Sequence, residues 1–531
     1  MKEGFRQSQA WLHTWSGLVL GWLLFAIFLT GTASYFQDEI NHWMHPERHQ
    51  LERGPLDLDK AVAELQRQAP NVAQWTFALP NERTPVLEAF WPGGERRFSS
   101  AALDPASGAV LPKLDTQGGN FFYRFHFQLW HIDVLTARYL VGVATMFMFV
   151  ALISGIITHK KIFKDFFTLR PRKGQRSWLD GHNVSAVMAL PFYLMITFTG
   201  LVIFVYLYMP WGIQAQYGDD SQAFFNELFP RAAPLERSGV AAPVPSLTPF
   251  LDKAREQWNG IPAENLTLFN PGDANARIEL TPDRRHSISG TGPRLLFDIN
   301  GNLLQRQGEL KPIAQASRML VGLHLGHYAE PLLRWLYFLS GLAGSFMIAS
   351  GLVLWVVKRT AQAKGEIDFG LRLVQILNVG AVAGLPIAMA SFLWANRLLP
   401  VDLAQRGEWE IHAFFATWGL ALLHPLVRSH KRAWVEQLGL AALLFAALPL
   451  LDLFTVHAQW PRSLAYSEWL VTGVELTSLA LGATLAWLSW KVARHQPQQK
   501  AARVAKPAKA APVAKGSASA PECLAETESA A

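Results

Sequence analysis

Long apolar runs separated by polar stretches dominate the chain. Each run of roughly 20 residues is long enough to cross about 30 Å of hydrocarbon as a helix. The first run is followed by no small-residue cleavage site, so it predicts a retained helix rather than a cleaved leader. In chain order the predicted spans are 13–36, 137–158, 184–209, 332–357, 371–395, 411–427, 436–454 and 467–490.

Two long polar loops between these runs share one order of predicted elements. Each begins with an amphipathic helix pattern, "LDLDKAVAELQRQAP" in the first and "LTPFLDKAREQWNGIP" in the second. Short strand-like runs follow, such as "AQWTFALP" and "ENLTLFNPG". The pair Asn300-Gly301 is a hairpin-turn signal near the end of the second loop. Each loop therefore predicts a small module of one helix and an antiparallel sheet.

The helices that flank the two loops repeat as well. "LHTWSGLVLGWLLFAIFLTGTASYF" aligns with "GHNVSAVMALPFYLMITFTGLVIFV", and in this alignment His13 and His182 each precede a glycine by 18 residues. "LWHIDVLTARYLVGVATMFMFVALISG" aligns with "LGHYAEPLLRWLYFLSGLAGSFMIASG", where His131 and His327 each precede a glycine by 24 residues. The first 360 residues are predicted to be a tandem duplication of helix, outer module and helix.

Basic residues predict the orientation in the membrane. The loop "HKKIFKDFFTLRPRKGQR" carries seven Lys or Arg against one Asp, which is typical of a cytoplasmic loop. Both termini are then cytoplasmic and both modules periplasmic, as in a multi-pass protein of a bacterial inner membrane. The net charge of +7 is mostly this topology signal, so nucleic acid is not expected as a partner, whereas membrane lipid is.

The predicted fold class is an all-α polytopic membrane bundle of about eight helices that carries two small α+β modules. Its segments are a first span 11–36, module one 37–130, a second span 131–160, a cytoplasmic basic loop 161–180, a third span 182–209, module two 210–323, a fourth span 324–358, a four-helix membrane region 367–492 and a disordered cytoplasmic tail 493–531.

Several kinds of site are absent from the sequence. The chain has one cysteine, Cys523, so disulfides, thiolate-bound clusters and covalently attached c-type haem are excluded. It has no HExxH motif for zinc, no GxGxxG after a strand and no GxxxxGKS loop. If the protein moves electrons, another protein or a membrane quinol must supply them.

The predicted topology sorts the histidines into two layers. His13 and His182 enter the membrane from the cytoplasmic face, and His131 and His327 enter it from the outer face. Two imidazoles that face each other across a bundle can hold a haem without any cysteine. One histidine at a helix end is more often an interfacial residue, but a pair that recurs at matched spacing in two repeats favours a ligand. The hypothesis is two non-covalent b-type haems, one in each layer.

Further histidines lie near these four. His126 and His324, five and three residues upstream of the outer pair, are alternative ligands or hydrogen-bond partners of a propionate. His159 is also a candidate, although its repeat counterpart is Trp355. His412 and His424 have no counterpart and stay outside the ligand set, whereas residues such as His42, His45 and His49 are expected at the solvent or the interface. Outer arginines are candidates either for propionates or for lipid headgroups, namely Arg124, Arg138 and Arg334.

The pattern from "LHTWSGLVLGW" through "LWHID" and "ISG" to "GHNVSAV" and "FTGL" resembles the PepSY-associated transmembrane helix family. Within that group it is similar to inner-membrane ferric-siderophore reductases of the FoxB type. The resemblance covers about residues 5–360. It implies a di-haem protein that passes electrons outward to a ferric siderophore, with His13 and His182 serving the cytoplasmic haem and His131 and His327 the periplasmic one.

The sequence thus predicts a haem-dependent ferric reductase for iron uptake. Its electrons come from a quinol or a cytoplasmic reductase, and its acceptor is a ferric siderophore or another ferric chelate. The alternative is a protein without enzymatic activity, either a transporter or a PepSY protein whose outer modules bind a periplasmic partner. No residue is assigned to proton-transfer catalysis.

Overall fold

In the computed structural model the described residues are 4–49, 51–52, 54–93, 98–159, 170, 174–228, 236–308, 310–363, 365–459 and 469–495. Three predicted features lie outside them. These are most of the basic loop 161–180, Cys523, and the tail 493–531 beyond His495.

The described residues form a multi-pass bundle of apolar helices. Five single helices are long and apolar enough to cross a membrane: Val134–Thr158, Pro331–Gln362, Phe369–Leu398, His430–Val456 and Trp469–Arg494. Two bent helix pairs raise the number to seven if each pair is one span. The predicted span 411–427 is helical but does not belong to these seven. Within the described residues, length and composition therefore support up to seven spans rather than the eight predicted.

The first repeat runs from the first helix to the second long span. Its elements are α1 (Phe5–Val19), α2 (Gly21–Ser34), α3 (Gln37–Trp43), α4 (Leu58–Gln68), β1 (Gln74–Ala78), β2 (Leu87–Trp91), β3 (Ser99–Leu103), α5 (Asn120–Gln128) and α6 (Val134–Thr158). Asp133 fixes the start of α6, because its carboxylate accepts a hydrogen bond from the Thr136 amide at 2.9 Å.

The second repeat follows the same order. Its elements are α7 (Gln175–Met188), α8 (Leu190–Ile203), α9 (Val205–Tyr208), α10 (Trp211–Tyr217), α11 (Ser221–Leu228), α12 (Thr248–Gln257), β4 (Ala263–Phe269), β5 (Arg277–Pro282), β6 (Arg294–Asp298), β7 (Leu303–Gln307), α13 (Pro312–Leu325) and α14 (Pro331–Gln362). Gly301 turns the β6–β7 hairpin at a φ of 82°, as the Asn-Gly signal predicts.

The first span of each repeat is sharply bent. Helices α1 and α2 meet at 66°, and α7 and α8 meet at 68°. Leu20 and Ala189 stand at the two bends with backbone angles outside the helical region. Pro191 lies in the first turn of α8, where its missing amide hydrogen leaves no helical bond unmade. The duplication therefore extends to the shape of the broken helices.

The strands of both loops join into one sheet rather than two separate ones. Its seven antiparallel strands run in the order β3-β2-β1-β4-β5-β6-β7. The two repeats meet where β1 pairs with β4, and Thr76 opposes Thr267 with their hydroxyl oxygens 3.1 Å apart. This pairing satisfies backbone groups that two isolated sheets would expose at their edges.

The helices α4 and α12 cover one face of this sheet. The core between them holds buried apolar side chains from both repeats, namely Leu58, Ala61, Leu65, Trp75, Phe77, Phe250, Ala254, Leu266, Leu268, Ile278 and Leu280. Because the core is continuous, the two predicted modules fold as one body.

The C-terminal region adds helices beside the first repeat. They are α15 (Phe369–Asn378), a π-helical turn (Val379–Ala383), α16 (Gly384–Leu398), α17 (Arg406–Val427), α18 (His430–Gln459) and α19 (Trp469–Arg494). Asn378 precedes the π turn and ties it to the repeats, since its side chain accepts from the Trp22 indole at 2.8 Å and donates to the Leu352 carbonyl at 3.1 Å.

Two buried ion pairs join the C-terminal helices to the repeats. Arg397 bonds Asp452 at 2.7 Å, donates to the Trp43 carbonyl at 2.6 Å, and lies 3.7 Å from the centre of the Trp43 ring. Glu410 bonds Arg406 at 2.8 Å and accepts from the Thr116 hydroxyl at 2.7 Å. Trp43 and Thr116 belong to the first repeat, so the C-terminal helices are an integral part of the fold.

Candidate cofactor site

Two histidines face each other on the side of the bundle away from the sheet. His13 on α1 and His182 on α7 have ring centres 6.2 Å apart, with an interplanar angle of 66°. The Nδ1 atom of His13 bonds the Ala151 carbonyl at 2.8 Å, and that of His182 bonds the Met347 carbonyl at 2.9 Å. We call His13 and His182 the distal pair.

A second pair lies on the side of the bundle nearer the sheet. His126 on α5 and His324 on α13 have ring centres 6.0 Å apart, with an interplanar angle of 35°. The Nδ1 atom of His126 bonds the Ile27 carbonyl at 2.7 Å, and that of His324 bonds the Ile196 carbonyl at 3.0 Å. We call His126 and His324 the sheet-side pair. Each repeat contributes one histidine to each pair.

The four hydrogen bonds fix the chemical state of the rings. A carbonyl oxygen only accepts, so each Nδ1 carries the hydrogen and donates it. The other ring nitrogen, Nε2, then keeps its lone pair, which is the form in which a neutral imidazole binds a metal. The hydrogen bond from Nδ1 to a carbonyl also fixes the orientation of the ring, as such bonds do for histidines in well-ordered metal sites.

A glycine makes each of these bonds possible. In every case it stands four residues after the carbonyl that accepts the hydrogen bond, next to that oxygen on the helix surface. A Cβ atom built there would lie 2.5 to 3.2 Å from the imidazole. The matched sets are Gly155 with Ala151 and His13, Gly351 with Met347 and His182, Gly31 with Ile27 and His126, and Gly200 with Ile196 and His324.

The ring spacing of both pairs fits one iron between two imidazoles. A ring nitrogen binds a transition metal at about 2.0–2.1 Å, and the ring centre lies about 1.2 Å behind that nitrogen, so the centres stand about 6.3 Å apart. The observed separations are 6.2 and 6.0 Å. The donor set therefore fits a haem with two axial imidazoles.

A cavity of about 360 Å³ lies beside the sheet-side pair. Both His126 and His324 line it, and its far end reaches Arg83 in the β1–β2 loop and His327. Its volume falls in the range of about 300–1,000 Å³ typical of small-molecule sites. Most other lining side chains are apolar, among them Leu24, Phe28, Val141, Met148, Phe192, Ile203 and Phe204.

Charged groups at the far end of this cavity are largely paired. Arg83 bonds Asp38 at 3.0 Å and Glu39 at 2.8 Å, and Arg334 bonds the same Glu39 at 3.0 Å. Arg138 differs: among the described residues its buried Nε atom has no hydrogen-bond partner. Its guanidinium lies 5.2 Å from the ring of Phe204, a lining residue. The sequence suggests three arginines for propionates. Of these, Arg138 offers the buried Nε donor just described, whereas Arg124 is exposed.

The remaining candidate histidines lie apart from the two pairs. His131 is exposed in the loop between α5 and α6, and its ring is parallel to that of His412. His327 lies in the loop between α13 and α14, where burial, then the charges of Arg284 and Arg83, lower its pKa to about 4. His159 ends α6 and bonds the Asn183 amide at 3.0 Å.

The structure therefore brings together a different outer pair of histidines, His126 with His324, from the pair that the helix alignment favours. The 24-residue spacing aligns His131 with His327, but both stand in loops, where the repeats differ in length. His126 lies eight residues before α6 begins, whereas His324 lies seven before α14 begins. Because the loops differ in length, the alignment did not pair His126 with His324. Each of the two nevertheless lies on a short helix just before a long span, and this shared position could have identified them as equivalent.

Comparisons with known proteins place this site within a known family. The family model of the PepSY-associated TM region matches residues 10–358, which include both repeats and all four paired histidines. An uncharacterized protein of Pseudomonas aeruginosa is 26% identical over 374 residues, covering 67% of this chain and 91% of that protein.

Proposed function

The chain belongs to the family of the PepSY-associated TM region, and from this premise we propose that it is a di-haem electron-transfer protein that reduces ferric iron in a chelate. The distal pair and the sheet-side pair each hold one non-covalent b-type haem. The acceptor is a ferric siderophore or another ferric chelate on the sheet side of the membrane. The donor is a membrane quinol or a soluble reductase.

The observation that carries this proposal is the fourfold match of histidine, carbonyl and glycine. Each of the four histidines donates from Nδ1 to a carbonyl of a neighbouring helix, and each carbonyl lies four residues before a glycine. Core packing alone requires neither four rings that each bond a carbonyl through Nδ1 nor ring centres about 6 Å apart in both pairs. A pair of axial ligands accounts for both.

The protein's own residues supply the binding and the orientation. A haem held by such a pair of imidazoles would supply one-electron transfer, with no open position at its iron for a substrate. The carbonyls of Ala151, Met347, Ile27 and Ile196 hold the four rings. Most of the side chains that line the cavity beside the sheet-side pair are apolar, which suits the faces of a macrocycle, and attachment needs no cysteine thiol.

The two pairs are close enough for a relay. Both lie against α6: Ala151 and Gly155 contact His13, whereas Thr145 lines the sheet-side cavity. Thr145 precedes Ala151 by six residues and Gly155 by ten, which is about 9–15 Å along a helix. Haems held by the two pairs at this offset would give electrons a path across the bilayer.

The reaction needs no acid or base from the protein. Ferric iron in the chelate gains one electron and becomes ferrous iron. A quinol that loses two electrons and two protons becomes a quinone, so one quinol reduces two ferric ions. Ferrous iron carries less charge and is softer, so oxygen-rich chelators hold it weakly and the metal is released.

The proposed orientation follows the positive-inside rule. We place the protein in a bacterial inner membrane with both termini and the basic loop 161–180 in the cytoplasm. The distal pair then faces the cytoplasm and receives electrons. The sheet and the sheet-side pair face the periplasm, where the cavity reaches toward Arg83 of the sheet-bearing loop.

Anaerobic mixing tests this function. The purified protein is reduced with a short-chain quinol, freed of excess donor, and mixed with a ferric chelate and a chromogenic ferrous chelator. We expect the reduced haem bands to decay while about one ferrous ion appears per electron lost. The matching gallium chelate, which accepts no electron, is the control. Reduced bands that persist in excess ferric chelate would refute the reductase assignment.

A further inference from the structure

A third pair of imidazoles lies at the edge of the bundle. His131, in the loop before α6, and His412, in the second turn of α17, have ring centres 6.2 Å apart and ring planes within 6° of parallel. The same separation of about 6 Å occurs in the distal and sheet-side pairs. Both rings are exposed, and His412 comes from the C-terminal region that the family match does not cover.

The backbone holds His131 in an unusual conformation. Its φ is +60°, and Leu129 two residues earlier has a φ of +52°. A non-glycine residue in this region costs of order 1 kcal/mol, and such strain persists only where surrounding contacts enforce it. Here the strained loop aims the His131 ring at α17, where Phe415 lies 4.8 Å from it.

The surroundings suit a flat apolar ligand better than a bare ion. Trp409 packs 5.4 Å from His412, and Trp409 and Ile132 expose about half of their surface (51% and 43%) on a face that lipid would cover. Among the described residues no group of three or more His, Cys, Asp or Glu side chains could hold a metal ion. A haem needs only the two axial imidazoles.

An aromatic cluster connects this pair to the sheet-side pair. Phe125, next to His126 on α5, lies 5.9 Å from Phe415 and 5.6 Å from Phe414. Phe415 in turn touches His131. The cluster occupies the space between the two imidazole pairs, and the chain from His126 to His131 is five residues long. A cofactor at the third pair would be the neighbour of the sheet-side haem.

We propose that His131 and His412 hold a third b-type haem at the sheet-side edge of the membrane. This inference rests on the proposed function, because it extends the same electron path by one cofactor. It makes the C-terminal helices part of the electron path, and it gives the path an exit that is exposed at the surface. The His131 loop and α17 together form the site, so the duplicated half alone cannot complete it.

The haem content of the full-length protein, measured as pyridine haemochromogen per chain, tests the third site. We expect three haems in the wild type and two in His412→Ala. His424→Ala on the same helix is the matched control, because His424 bonds Glu436 instead of facing another imidazole, and it should retain three. Near-parallel imidazole planes give a low-spin haem a rhombic signal in electron paramagnetic resonance. We expect His412→Ala to remove one such signal.

The outcomes separate the two proposals. Two haems in the wild type that His412→Ala leaves unchanged would overturn the third site and leave the di-haem proposal standing. No haem in folded wild-type protein would overturn the proposed function itself. If His412→Ala instead lost a non-haem metal, detected by mass spectrometry of the metal content, the haem assignment of this pair would be wrong.

Discussion

Gly31 on α2 lies directly against the imidazole of His126 on α5. A Cβ atom built on Gly31 would stand 2.5 Å from Nδ1, the atom that donates to the Ile27 carbonyl. The ring and the carbonyl can meet only because position 31 has no side chain. The same relationship recurs at Gly155, Gly200 and Gly351.

Substitution Gly31→Ala should therefore remove one haem. The added methyl group displaces the His126 ring, breaks its bond to Ile27, and changes its position relative to the His324 ring. Gly17→Ala is the control, because no atom lies within 4 Å of a Cβ built on Gly17. Haem per chain should fall by one in Gly31→Ala and stay unchanged in Gly17→Ala. Equal haem content in the two variants would contradict the role of this glycine.

The Arg397–Asp452 pair should matter strongly for stability. Both side chains are buried, and Arg397 also bonds the Trp43 carbonyl. Arg397→Ala removes the guanidinium that bonds the buried Asp452 carboxylate, which costs about 3–5 kcal/mol of unfolding free energy. Arg67→Ala removes an exposed ion pair with Glu64 and should cost about 0–1 kcal/mol.

Thermal unfolding of both variants in the same detergent measures this difference. Near-equal melting temperatures for Arg397→Ala and Arg67→Ala would mean that the C-terminal helices do not depend on the buried pair.

Stability should fall in mild acid because of His327. Burial, then the nearby charges of Arg284 and Arg83, lower its pKa from 6.5 to about 4, so the folded protein resists protonation there. Between pH 6.5 and 4 the unfolded chain binds this proton and the folded chain does not, so stability decreases as the pH falls through this window. At pH 5 the loss is roughly 1–2 kcal/mol.

The variant His327→Gln isolates this effect, since glutamine does not titrate. The difference in unfolding free energy between wild type and variant should change between pH 7 and pH 5 by that amount, in favour of the variant. A difference that does not vary with pH would place the pKa of His327 near its ordinary value.

Much of the fold follows from local sequence patterns. Apolar runs locate most of the spans, and alternating runs locate the strands β1 to β6. The equal spacings from His13 to Gly31 and from His182 to Gly200 reveal the duplication. Periodicity among neighbouring residues locates the spans and strands. Comparison of the chain with itself locates the two repeats.

Other features depend on contacts that are distant in the chain. The β1–β4 pairing joins residues about 190 apart, such as Thr76 and Thr267, and no local signal announces it. His42, His45 and His49 were expected at the solvent or the interface but are buried, at 3–7% exposure. The rings of His42 and His49 are in contact, with centres 4.8 Å apart and planes tilted by 37°. Three-dimensional packing decides these placements.

The outer histidine pair shows the same limit. Sequence spacing measures distance along a chain, whereas ligation depends on where a ring points. His126 and His324 point inward because short helices, α5 and α13, present them to carbonyls on α2 and α8. His131 and His327 stand in the loops that follow. An alignment that allowed a two-residue gap in these loops would have matched His126 with His324.

The haem content of single-histidine variants tests the central claim most directly. Full-length wild type, His126→Ala, His324→Ala and His327→Ala are purified from haem-replete cells, and haem extractable by acidified acetone is counted per chain. We expect at least two extractable b-type haems in the wild type, one fewer in His126→Ala and in His324→Ala, and no loss in His327→Ala. Folded wild-type protein without haem, or a loss in His327→Ala but not in His126→Ala, would contradict the assignment of the sheet-side pair as haem ligands.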